Sequence, residues 1–64
     1  MTKSRNRIRQ LRKRLGWTQR DLARAAEMHP PTVSQIENGV IRLWPGYAQR
    51  IAKALGVTVE ELTS

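Results

Sequence analysis

Apolar residues recur along this chain at the spacing of one helical face, and turn residues interrupt the pattern four times. Ile8, Leu11 and Leu15 fall at i, i+3 and i+7, with Arg7, Arg9, Lys13 and Arg14 around the other side and Gly16 following as a stop. This predicts a first helix over about 5–15, behind a short, flexible basic arm at 1–4. Thr18 then offers a hydroxyl cap with Asp21 three residues on, a capping-box spacing that sets an acid at the positive end of the helix dipole. It opens a second helix over about 19–27, with Leu22, Ala23 and Ala26 inward; small alanines let a neighbouring helix approach closely.

Only Met28 and His29 precede the next start, in the stretch HPPTVSQIENG. Pro30 and Pro31 have no backbone donor to lose and a φ that suits a first helical turn, so they mark a helix opening. Val33 and Ile36 share its apolar face, and Asn38-Gly39 supplies a left-handed stop, giving a third helix over about 30–38. A helix this short is not stable alone, so its apolar face must lie on the rest of the chain. Trp44-Pro45-Gly46 reopens a helix over 45–55, with Ile51, Ala52 and Leu55 as its stripe and Gly56 as its end. Thr58, with Glu61 three residues on, caps a last helix over 59–63, from which Val59 and Leu62 can close the core. The prediction is a single all-α domain over 1–64, five short helices with a helix-turn-helix spacing at the centre.

Composition narrows what such a domain can do. The chain has 64 residues, near the lower end of what folds unaided, and no cysteine to form a disulfide or a thiolate metal site. His29 is alone and the five acids lack the spacing of a metal loop, so no metal and no cofactor are expected. No paired carboxylates, base-activated nucleophile or phosphate-cradling glycine loop is present, so an enzyme is not expected. There is no apolar run of the ~20 residues a membrane span needs and no signal-peptide core, so the expectation is a soluble, cytoplasmic chain.

The formal net charge is +7 and unevenly placed. Residues 1–24 hold nine Lys and Arg against Asp21 alone, a net +8, so the other 40 residues sum to −1. That asymmetry points to an anionic partner, most often nucleic acid. The exposed face of the third helix is unlike a generic solvated one: Thr32, Ser34, Gln35 and Asn38 are neutral hydrogen-bonding side chains of the type that reads base edges. The basic run from Lys3 to Arg14 is open to three readings, a minor-groove arm, a phosphate-facing patch or a solvated face. Trp44 is open between core, an outer cap on the fourth helix and a subunit contact, with core or interface favoured for so large an aromatic.

The run LGWTQRDLARAAEMHPPTVSQIENG, followed by RIAKALGVTVEEL, resembles the phage repressor and Cro type of helix-turn-helix domain, an XRE-like regulator family, over about residues 5–63. The resemblance implies a five-helix repressor-like bundle whose third helix lies in the major groove while the start of the second meets the phosphate backbone. It implies that Gln19 bonds a phosphate or steadies a base-reading side chain, with Arg20 beside it, and that Arg12 and Glu37 form a structural ion pair between the first and third helices. Glu27 stands where the family usually has glycine, and Pro30 and Pro31 stand where relatives carry amide or basic readers. The prolines can offer only apolar contact with thymine methyl groups, so direct readout falls to Thr32 and Gln35. Ser34, Asn38, Arg42 and Arg5 are the expected phosphate or minor-groove contacts. The reading is a transcriptional regulator, a repressor in the commoner case, bound as a homodimer to a two-fold site on double-stranded DNA. Val57, Val59 and Leu62 are its surplus apolar candidates for the dimer. The alternative is an antitoxin-like or adaptor module whose main partner is a protein. A membrane role is disfavoured, because the apolar face of the first helix is needed for the core.

Overall fold

A computed structural model describes residues 7–63, and among these five helices and no strand are found. The helices are α1 (Ile8–Arg14), α2 (Gln19–Ala26), α3 (Pro30–Glu37), α4 (Pro45–Leu55) and α5 (Val59–Thr63). The arm at 1–4 and Arg5 lie outside the described residues. No helix among the described residues is long and apolar enough to cross a membrane.

The core gathers one stripe from each helix. Ile8, Leu22, Val33, Ile36, Ile51 and Leu62 are essentially inaccessible, and Ala23, Ala26, Ala48 and Ala52 let the backbones between them come close. α2 is the hub, packing on both α3 and α4, while α5 and α1 close against α4. Burying a side chain of the Leu or Ile class contributes ~1.5–3 kcal/mol, so these few positions carry most of what holds so small a domain together.

Both capping boxes form. Thr18 Oγ1 accepts from the Asp21 N–H at 3.1 Å while the Asp21 carboxylate accepts from the Thr18 N–H at 2.8 Å, and Thr58 with Glu61 repeats the exchange at the start of α5. The Thr18 N–H and then its hydroxyl hold the Asp21 carboxyl below its ordinary pKa.

Several boundaries and burials differ from the periodic reading. α1 begins at Ile8, because Arg7 is off helical geometry and donates its N–H to the Leu62 carbonyl at 2.7 Å, joining the start of α1 to α5. It ends at Arg14, and Leu15, predicted for the core stripe, is 48% exposed. Leu15 sits in the closing turn, where the Gly16 and Trp17 N–H groups fold back to Lys13 and Arg12; the inward position four residues after Ile8 is taken by Arg12, which is buried. Glu27 and Asn38 are caps rather than the last residues of α2 and α3. Asn38 is right-handed, and it is Gly39, at φ +75°, that turns the chain left and lets Val40 N–H reach the Gln35 carbonyl. In α5 one inward position suffices: Leu62 fills the core of the domain and is not surplus, while Val59 is 39% exposed.

The turn between α2 and α3 keeps the left-handed step that glycine usually makes. Glu27 adopts φ 57°, ψ 48°, with Met28 N–H bonded back to the Ala23 carbonyl at 2.8 Å. For a residue with a Cβ this conformation costs on the order of 1 kcal/mol. Arg50 of α4 donates to the Glu27 carbonyl at 3.3 Å, so a tertiary contact helps hold the turn.

Trp44 is not in the core. It is the N-cap of α4, with Pro45 at the first helical position, and it is 54% exposed. In the segment from Val40 to Trp44 exposure alternates: Ile41 and Leu43 pack on the core, while Val40, Arg42 and Trp44 face out.

Candidate nucleic-acid interface

α3 is positioned from its inner face. Val33, Ile36 and Glu37 are buried, and 100° per residue then makes Pro31, Gln35 and Asn38 the most outward positions, flanked by Ser34 on one side and Thr32 on the other. Pro30, Pro31, Gln35 and Asn38 are exposed; Thr32 and Ser34 are half-buried. The first turn of α3 presents no spare backbone donor. Both prolines lack an N–H, and those of Thr32 and Val33 donate to the His29 carbonyl at 3.0 and 3.2 Å. The base-facing candidates on this helix are therefore side chains alone.

Glu37 anchors the helix. Its Oε2 accepts from Arg12 Nε at 2.6 Å, and its Oε1 accepts from Arg12 Nη2 at 3.0 Å, completing a two-pronged pair from α1 to α3. Gln19 Nε2 adds a third bond to Oε1 at 3.2 Å from the first residue of α2, and Arg9 Nε approaches the same oxygen at 3.4 Å. Arg12 Nη1 is spent on the Trp17 carbonyl at 2.8 Å. Burial alone would raise the Glu37 pKa; the Arg12 hydrogen bonds, the Gln19 amide, the Arg12 charge and Arg9 outweigh it and hold the carboxyl below its ordinary value. A carboxylate at a helix C-terminus opposes the helix dipole, so only this set of donors makes Glu37 acceptable there.

Around that anchor the expected site residues separate. Gln19 is joined to Glu37 and sits where α2 begins; Arg20 beside it is exposed. Asn38 accepts from Arg9 Nη2 and donates to Ser34 Oγ at 3.5 Å, so a short polar chain runs from α1 along the outer edge of α3. Arg42 lies in the loop leaving α3, with its guanidinium 5.2 Å from the centre of the Trp44 ring. Arg5 lies outside the described residues. The residue that sequence reasoning missed is Arg9, which the basic run from Lys3 to Arg14 left open between a minor-groove arm, a phosphate-facing patch and a solvated face. The available signal was its spacing of three from Arg12, which puts both on one side of α1 facing the end of α3.

Residues 8–62 match a family described as helix-turn-helix. The chain belongs to this helix-turn-helix family, of the XRE and Cro/C1 type. Helix-turn-helix domains of this family are DNA-binding regulatory modules, and α2, the Glu27 turn and α3 are the two helices and the turn of the present one. A curated relative, the competence pilus inhibition repressor of Acinetobacter baylyi (strain ATCC 33305 / BD413 / ADP1), is 36% identical over 55 residues, which cover 86% of this chain. The chain spans half the length of that relative. No solved structure matches the chain at comparable significance.

Proposed function

We propose that this helix-turn-helix domain is a sequence-specific regulator of transcription, a repressor, that lays α3 in the major groove of double-stranded DNA. The observation that carries this is the division of α3: a buried inner face fixed by a charged clamp, and an outer face of neutral hydrogen-bonding groups with no charge competing for water. Gln35, at the centre of the outer face, is the principal base reader, with Thr32 beside it and Pro31 and Pro30 offering apolar contact to thymine methyl groups; a Gln bidentate to adenine discriminates by ~1–3 kcal/mol. Arg20, Asn38, Ser34, Arg42 and, from the arm, Arg5 meet phosphates or the minor groove. Gln19 steadies Glu37 as its first task, and the start of α2 beside it offers free N–H groups to the backbone. With so few base readers, DNA shape supplies a larger share of the specificity.

The functional unit is a homodimer on a two-fold operator. The long axis of the domain is 29 Å, and half-sites one helical turn apart are ~34 Å centre to centre, so two copies that set this axis along one face of the duplex come within side-chain reach. Repression follows by occupying an operator that overlaps a promoter. The related repressor from Acinetobacter supports that direction of regulation.

Selection of bound duplexes from a random pool, followed by affinities at two salt concentrations for the parent and a Gln35→Ala variant, tests the reading. A two-fold motif whose preference relaxes at one position per half-site in Gln35→Ala supports it. Sequence-independent binding near ~10⁻⁴–10⁻⁶ M that fades with salt overturns it and makes a protein partner, as in an antitoxin-like or adaptor module, the better reading.

A further inference from the structure

Trp44 lacks the usual reasons for a large aromatic side chain. It is 54% exposed at the cap of α4, while Ile41 and Leu43 already fill the core beside it. Among the described residues its ring meets Arg42, whose guanidinium carbon lies 5.2 Å from the ring centre. The segment between them is fixed rather than loose: the Trp44 N–H donates to the Arg42 carbonyl at 3.0 Å, and the Trp44 carbonyl accepts the first α4 bond from Ala48 at 2.8 Å. At its other end, Val40 N–H is bonded to the Gln35 carbonyl at 2.8 Å, so the strip begins one turn from the centre of the outer face of α3.

The chemistry of the contact matters. The ion pairs among the described residues run from Arg9 and Arg12 to Glu37, and no carboxylate lies on Arg42. An acid there would neutralise the guanidinium and occupy its in-plane N–H groups. An indole attracts the cation through its face and leaves those donors free, while removing part of the rotamer freedom of a long side chain. An arriving phosphate then meets an ordered cation whose charge is intact and whose N–H donors carry no carboxylate, which lowers the ordering cost of the contact.

We infer that Trp44 is a positioning residue for Arg42: the indole holds the guanidinium ready for a phosphate of the DNA strand flanking α3. The inference rests on the DNA-binding reading and names the device that prepares one of its phosphate contacts.

A double-mutant cycle on duplex binding tests it, using a selected duplex and a scrambled one, the salt dependence of each affinity, and melting curves for every variant. Arg42→Ala should weaken binding about tenfold on both duplexes and reduce the salt slope by about one. Trp44→Ala should weaken it about three- to fivefold, and Trp44→Phe, which keeps an aromatic face, should stay within about twofold of the parent. Trp44→Leu, which keeps bulk without that face, should behave as Trp44→Ala and serves in its place if the alanine variant melts early. The Arg42→Ala, Trp44→Ala double variant should be no weaker than Arg42→Ala alone. Additive losses overturn the inference, because Trp44 would then act independently of Arg42. It is overturned as well if Trp44→Leu binds as the parent does, or if Arg42→Ala leaves affinity unchanged while duplex preference persists; in both cases the DNA reading stands. A parent protein that prefers no duplex overturns both.

Discussion

The two faces of α3 are made of the same eight residues and do opposite work. The inner face is over-determined: Val33 and Ile36 are sealed in the core, and Glu37 is held by Arg12 and Gln19 with Arg9 alongside, so three side chains from α1 and α2 converge on one carboxylate. The outer face is left almost bare. Gln35 is exposed with no side-chain partner among the described residues, and the polar contacts near it, between Ser34, Asn38 and Arg9, lie toward the helix end. A helix of eight residues has too little intrinsic stability to hold its own orientation, so the precision of the bare face is borrowed from the crowded one.

The largest expected effect therefore lies on the inner face. Glu37→Ala strands Arg12 in a buried position and should destabilise the fold by ~3–5 kcal/mol, a large part of what a domain this size has, read as a loss of melting temperature and denaturant midpoint. Duplex preference should change only as far as folded protein is lost. A melting temperature equal to the parent's would mean that the clamp is not what fixes α3.

Acid should reproduce a weaker form of the same damage. The folded-state pKa of Glu37 is held below its ordinary value near 4.5, so its contribution is fully present above that value and is lost as the pH falls through the lower folded-state value. Asp21 shifts in the same direction and adds to the trend. Denaturation curves from neutral pH down to about pH 3 should show stability falling, and Glu37→Gln, less stable at neutral pH, should show a flatter decline; parallel curves would remove Glu37 from the acid response.

On the outer face the magnitudes reverse their meaning. Gln35→Ala should cost ~1–3 kcal/mol of discrimination at one base position per half-site and leave the melting temperature within error, because no described residue bonds its side-chain amide. A clear loss of stability would show that the two faces are not separable. The smallest effect belongs to the turn that delivers α3 from α2. Glu27→Gly relieves the left-handed strain and should raise stability by about 1 kcal/mol without altering duplex preference. No gain would imply that the Arg50 contact, rather than the backbone preference, sets the energy of that turn.

Much of this architecture was legible because its signals are local. Capping boxes at Thr18 and Thr58, the proline opening of α3 and the Gly39 stop after it all act through neighbours within a few residues, so spacing alone reveals them. The periodic rule failed at Leu15 and Val59, where a helix end or a single-turn helix leaves no room for one more inward residue. The pairing of Arg12 with Glu37 came from family resemblance rather than from pattern, since 25 residues separate them. Arg9 and Gln19 were assigned to other tasks for a related reason: a charged or amide side chain at a surface spacing reads the same whether it meets water or a buried carboxylate.

The sequence by itself determined five helices, where each starts and stops to within a turn, most of the apolar residues that face inward, and that the third helix shows a neutral polar face. These follow from backbone stereochemistry and the burial of apolar stripes, both decided over short spans of chain. The tertiary structure alone decided that Glu37 gathers donors from α1 and α2, that Glu27 is held in a left-handed turn under Arg50, and that Trp44 stands outside the core against Arg42. Each of those depends on where distant segments meet, and long polar side chains find their partners only after packing has brought the helices together.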